Sequence, residues 1–234
     1  MRCPKCKDDG FKFEENSETK EMEAIPCDCR KAYDTKKIEY ALHKKYEAAG
    51  ISSSFWKYTF DSFKFCPIGN LATQKINANQ INILKAHAQD PESFFSKYST
   101  LWLYSSLGNA GCTTLAICFG MELIRQKYIV RFVTMQKLLN AFVEFDDKKN
   151  FFQDINKADV FILDNVFVGE RCSIRGEYTA VQLYDWLNNA LLDGKKFICT
   201  SRVPLDRVDK TYENSVGIFK KHPFTIEIHG TKEV

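Results

Sequence analysis

The chain has 234 residues, 44% hydrophobic and 27% charged, with a formal net charge of +3. This suits one ordinary soluble domain plus a small appendage; it excludes a disordered polymer and gives no sign of a dedicated, strongly basic nucleic-acid-binding domain. The apolar runs are too short to span a bilayer and residues 1–20 show no secretory signal, so nine cysteines point to a reducing, cytoplasmic setting.

The first fifty residues carry eleven basic and eleven acidic side chains, so the surplus positive charge lies downstream. Cys3-Pro-Lys-Cys6 and Cys27-Asp-Cys29 flank two short alternating segments, 10–13 and 22–25, with Asn16-Ser17 as a turn. Such a hairpin brings the cysteine pairs together. Four thiolates then suit a structural zinc, closed on all sides and without chemistry of its own. Surface thiols or a redox pair are the alternative. A head this small has little core and needs a staple, which favours zinc. A helix follows over 30–49, stopped by Gly50. The chain is thus expected to divide into a zinc-binding head and helix at 1–50, a linker at 51–68 and a P-loop core at 69–234.

Within the core, a helix is expected over 71–89, outside the first strand at 101–104. Further strands are expected at 129–134, 159–164, 197–200 and 224–228. Helices alternate with them at 113–127, 135–145, 177–192 and 212–221. The order predicts an α/β fold with a parallel five-stranded sheet flanked by helices on both faces.

The loop after the first strand, Ser106-Leu107-Gly108-Asn109-Ala110-Gly111-Cys112-Thr113-Thr114, has the frame of a P-loop between a strand and a helix. In a working loop, backbone N–H groups cradle phosphates, a lysine neutralises them and a hydroxyl holds Mg²⁺. Here Ser106 stands for the first glycine and Cys112 for the lysine, while Gly111 and Thr113 keep the pattern. The apolar strand 158–165 ends in Asp164-Asn165, a strand-end acid fit to orient Mg²⁺ through water. The following position, where a carboxylate would activate the attacking water, holds an amide. The strand end Thr200-Ser201-Arg202 fits a sensor position facing the γ-phosphate. Gly111, Cys112, Thr113, Thr114, Asp164, Asn165 and Arg202 are therefore the candidate nucleotide-binding residues. ATP or ADP with Mg²⁺ stays open as a ligand.

The order of these motifs resembles the DnaC/DnaI helicase-loader family of AAA+ proteins, with the IstB transposition helpers as relatives. The resemblance is carried by the PCDC pair, Ala49-Gly50-Ile51, the YTFDSF stretch at 58–63, the P-loop frame, DVFILDN, TSR and the closing TIEIHG strand with no lid domain after it. It implies a zinc head that grips a replicative helicase, and an AAA+ core that binds ATP, assembles with copies of itself and touches single-stranded DNA. Lys137, Lys148 and Lys149 are the DNA-contact candidates, with Lys195, Lys196, Lys220 and Lys221 as further ones. The departures imply a poor ATPase: Cys112 for the lysine, Asn165 for the catalytic acid, Arg202 for the sensor asparagine, and no arginine within 215–220. They also suggest a phage or mobile-element origin. The expected function is a loader-like replication factor that binds a helicase. An unusual active ATPase of the same fold and an IstB-like DNA-binding helper are the alternatives.

Overall fold

The computed structural model describes residues 3–7, 9–63, 71–107, 110–143, 148–167, 177–208 and 213–229. The chain divides into two compact units, Met1–Lys45 and Tyr46–Val234. The division falls inside the first long helix, not at its end. The described part of the expected linker packs within the second unit, where Ile51 and Phe60 are buried. Residues 64–68, and with them Cys66, lie outside the described residues, as does Cys172.

In the first unit, β1 (Phe11–Glu15) and β2 (Met22–Pro26) pair antiparallel, with Phe11 opposite Pro26 and Glu15 opposite Met22. The Asn16 side chain accepts from the N–H groups of Glu18 and Thr19, a local Asx turn that reverses the chain. Helix α1 (Asp28–Ala48) follows directly, starting earlier than expected because Asp28 supplies negative charge to its first turn. The Arg30 guanidinium lies 4.2 Å from the centre of the Phe11 ring and ties helix to hairpin. The only buried residues among those described in this unit are Cys6 and Cys27. Phe13, Met22, Tyr33, Ile38 and Tyr40 are exposed instead of forming a core, because two strands and one helix enclose too little volume.

The second unit is a five-stranded parallel sheet of β3 (Thr100–Tyr104), β4 (Val130–Thr134), β5 (Val160–Asp164), β6 (Lys196–Ser201) and β7 (Pro223–Glu227), in the order β4-β5-β6-β3-β7. Its helices are α2 (Leu71–Gln89), α3 (Pro91–Lys97), α4 (Cys112–Arg125), α5 (Met135–Val143), α6 (Lys148–Ile155), α7 (Glu177–Leu192) and α8 (Glu213–Phe219). One core packs Trp102, Phe161, Leu163, Phe197 and Cys199 of the strands against Leu138 and Phe142 of α5, Leu183 and Leu187 of α7, and Phe219 of α8. On the other face α4 crosses the sheet closely enough that a Cβ on Gly120 would strike Ile162. Every residue of β5 is buried, as a central parallel strand covered on both faces requires.

Each outer strand has a neighbouring segment hydrogen-bonded at or just past it. Beside β4, the Phe132 N–H donates to the Ala49 carbonyl at 2.7 Å and Arg131 donates to the Ala48 carbonyl at 2.7 Å. Gly50, at φ +81°, makes the turn that permits this approach. Just past β7, the buried Asn77 side chain donates to the His229 carbonyl at 2.7 Å and accepts from the His229 N–H at 3.1 Å. No helix among the described residues is long and apolar enough to cross a membrane.

Candidate nucleotide site and cysteine cluster

A parallel sheet opens a crevice where the chain reverses direction along the strand order. Here that point is the C-terminal end of β3, from which the chain jumps past β6 and β5 to reach β4. The Ser105 N–H donates to the Ser201 carbonyl at 3.2 Å, which extends the β3–β6 pairing by one residue into the loop. Gly111 caps α4 from the left-handed region at φ +89°. A side chain there would be strained by the backbone and would also meet the Phe63 ring, whose Cε2 lies 2.9 Å from an ideal Cβ. Gly108 and Asn109 lie outside the described residues.

The resulting cavity, about 520 Å³, is lined by Ser105, Leu107 and residues 110–114 of the loop, by Asn165, by residues 200–202, and by Phe55. Six of the candidate residues therefore share one wall system: Gly111, Cys112, Thr113, Thr114, Asn165 and Arg202. Asp164 lies behind them, 5% exposed. Its Oδ1 accepts from Thr113 Oγ1 at 2.6 Å and from Thr200 Oγ1 at 2.7 Å, and its Oδ2 accepts from Asn165 Nδ2 at 2.9 Å. Thr200 in turn accepts from the Asn165 N–H at 3.0 Å. Asn165 holds this place with φ +57°, a left-handed geometry that asparagine tolerates better than most residues.

Charge in the cavity is sparse. Arg202 is the only cationic side chain among the described lining residues. Burial pushes the Cys112 thiol up to about 12, so the position of the missing lysine is filled by a neutral group. Its place beside a helix N-terminus does not lower its pKa, because desolvation of the thiolate outweighs the backbone N–H that opposes it. Thr200, not among the candidate nucleotide-binding residues, completes the cluster around Asp164. Its signal was a polar side chain at the end of a buried apolar strand, next to the strand ending in Asp164.

The DNA-contact candidates do not form one surface. Lys137 is exposed in the first turn of α5, just past the C-terminal end of β4, with its Nζ 5.9 Å from the Phe151 ring centre. Lys148 and Lys149 begin α6, a helix in a stretch to which no element was assigned from the sequence. Lys195, Lys196, Lys220 and Lys221 precede or open β6 and β7, so they sit at the opposite edge of the sheet from the cavity.

In the first unit, Cys3, Cys6, Cys27 and Cys29 bring their sulfurs within 4.8 Å of one another. Cys3 and Cys27 are 3.9 Å apart, and Cys6 and Cys29 are 3.3 Å apart. Backbone N–H groups of Cys6 and Lys5 pull the Cys3 thiol down to about 7. A hydrogen bond to Cys6 pushes Cys29 up to about 12. The four sulfurs are close enough together to hold one metal ion.

No family model matches the chain, and no curated protein matches its sequence. Solved structures do. A DNA replication initiation factor aligns with 74% of this chain at 25% identity and TM-score 0.56. The replication initiator DnaA bound to AMPPCP and single-stranded DNA aligns with 74% at 23% identity and TM-score 0.55. The match spans 50% of the length of each of these two proteins. The DnaC helicase loader aligns with 76% of this chain and 99% of its own length, at 14% identity and TM-score 0.56. The fold is that of AAA+ replication initiators and helicase loaders, in keeping with the resemblance carried by the motifs.

Proposed function

We propose that this chain is a DNA-replication factor of the helicase-loader type whose AAA+ core holds nucleotide without efficient turnover. The observation that carries the reading is the meeting of residues 110–114 with Asp164 at the tip of the central strand β3. That is where a P-loop protein binds phosphates. The two groups that hydrolysis needs are replaced there by Cys112 and Asn165. An arginine finger alone contributes about 10³–10⁵ in rate in related NTPases. Without the lysine and the water-activating carboxylate, nucleotide serves as a conformational ligand.

The head supplies the partner surface in this reading. Phe13, Met22, Tyr33, Ile38 and Tyr40 leave apolar and aromatic area in water, the usual mark of a protein-binding face. We assign the partner as a replicative helicase, with single-stranded DNA reaching the core near Lys137 and self-association completing the assembly in the cytoplasm. The cysteines suit zinc. Zn–S bonds of about 2.3 Å set tetrahedral sulfur–sulfur separations of about 3.8 Å, which the pairs at 3.3 and 3.9 Å bracket. With only Cys6 and Cys27 buried among the described residues of the head, the metal would replace a hydrophobic core.

Two measurements test the reading. The purified full chain should co-elute with a purified replicative helicase, and Cys27→Ser should abolish the complex. Salt-sensitive DNA binding without any helicase complex would instead favour a transposition-helper role. Phosphate release from ATP should be the same for the wild type and for Thr113→Ala. A rate that falls in Thr113→Ala would make the protein a working ATPase.

A further inference from the structure

The cation of a P-loop site is held by the loop hydroxyl, by phosphate oxygens and by waters that donate to the strand-end carboxylate. Thr113 keeps the first of these arrangements. The carboxylate side does not. A carboxylate has about four acceptor positions, and protein donors already occupy two on Oδ1 and one on Oδ2 of Asp164. The orientation of the Asn165 amide follows from its neighbour, because a carboxylate can only accept and the amide must turn its NH₂ toward it. Waters bound to Mg²⁺ also point their hydrogens outward. Donor would meet donor beside Asp164. One acceptor position is left on Oδ2, beside the Asn165 NH₂, so the residues present fit a hydrated magnesium ion poorly.

The same residues suit an anion. The cavity is lined both by the N-terminal residues of the fourteen-residue helix α4 and by the exposed Arg202, two complementary sources of positive potential. Its volume of about 520 Å³ falls in the range of small-molecule sites. We propose that it takes a nucleoside diphosphate as the metal-free anion, with Arg202 as the counter-charge and the Asn165 amide standing where the metal's water would be. The diphosphate is favoured over the triphosphate because the γ-phosphate charge is normally met by the lysine and the cation, and here it would face only Arg202. This inference rests on reading the cavity as a nucleotide site.

The test is a titration of the full chain with a fluorescent ADP analogue, once in EDTA and once in millimolar Mg²⁺. The two dissociation constants should agree within about two-fold, and unlabelled ADP should compete at least as well as ATP. Arg202→Ala should weaken binding by roughly ten-fold or more, the loss expected for one charge-assisted hydrogen bond. Asn165→Asp keeps a side chain that tolerates the left-handed backbone, so the fold should persist, as its tryptophan-monitored melt would verify. It should lose metal-free affinity and regain it when Mg²⁺ is added. Wild-type binding that tightens more than about ten-fold with Mg²⁺ would overturn the proposal while leaving the nucleotide site intact. So would an unchanged Mg²⁺ response in Asn165→Asp. Absence of binding in both buffers would instead remove the nucleotide reading itself.

Discussion

Thr200→Val tests how firmly the Asp164 cluster holds the core together. Thr200 is 2% exposed, and valine nearly reproduces its shape, so the change removes hydrogen bonds with little change in packing. Two are lost: the 2.7 Å donation to Asp164 Oδ1 and the 3.0 Å acceptance from the Asn165 N–H. The first involves a carboxylate and contributes about 1.5–3 kcal/mol; the second contributes about 0.5–1.5 kcal/mol. Together they predict a cost of about 3 kcal/mol, or roughly 6–12 °C in melting temperature for a unit of this size. Intrinsic tryptophan fluorescence is the suitable assay, because all three tryptophans, Trp56, Trp102 and Trp186, lie in the second unit. Trp102 also donates to the Val203 carbonyl at 3.1 Å, three residues beyond the mutated site. Thr200→Ser keeps the hydroxyl and gives up only a methyl group, a cost of about 1 kcal/mol. A Thr200→Val protein that melts with the wild type, or above Thr200→Ser, would refute the argument.

Three further outcomes are expected. Metal analysis of the purified chain should find zinc, and Cys6→Ser should release it to a chromogenic chelator, since the remaining three thiolates leave the tetrahedron open. Gly111→Ala should destabilise the core by more than about 1 kcal/mol, and Phe63→Leu in the same chain should recover only part of that loss, because the φ of +89° is strained whatever the neighbour. Mass-mapped alkylation should leave Cys112 and Cys118 largely unmodified near neutral pH, because burial holds both thiols near 12. The sign for stability follows from the same shift. The unfolded thiols release protons as pH rises past their ordinary value of 9.0 and the folded ones do not, so stability present below 9.0 is lost progressively toward 12.

The sheet was legible in the sequence because parallel strands buried on both faces read as continuous apolar runs, as in the stretch ending at Asp164. The loop before α4 was legible through Gly111 and Thr113. Helix α3 was missed although Asp90 accepts from the Ser93 N–H and Pro91 opens the first turn, a recognisable start signal. Helix α6 was hidden by the charge run that precedes it, and Phe151, Phe152 and Ile155 alone gave too short a period. The exposure of Tyr33, Ile38 and Tyr40 was not legible, because helical periodicity shows which residues share a face but not whether anything covers it. The hydrogen bonds around Asp164 were beyond reach for a different reason. They join Thr113, Asn165 and Thr200 across three separate elements, and only the strand order brings them together.

A primary amide carries the same donor and acceptor as a peptide group, so Asn77 greets His229 much as a neighbouring strand would. On the far side, Ala49 does the same for Phe132 with its own main chain. A ribbon with open flanks invites recruitment of foreign strands and, eventually, fibrils. Here Ala49 and Asn77 each occupy one point at a margin of the sheet, positions that a foreign strand would have to displace before it could pair there.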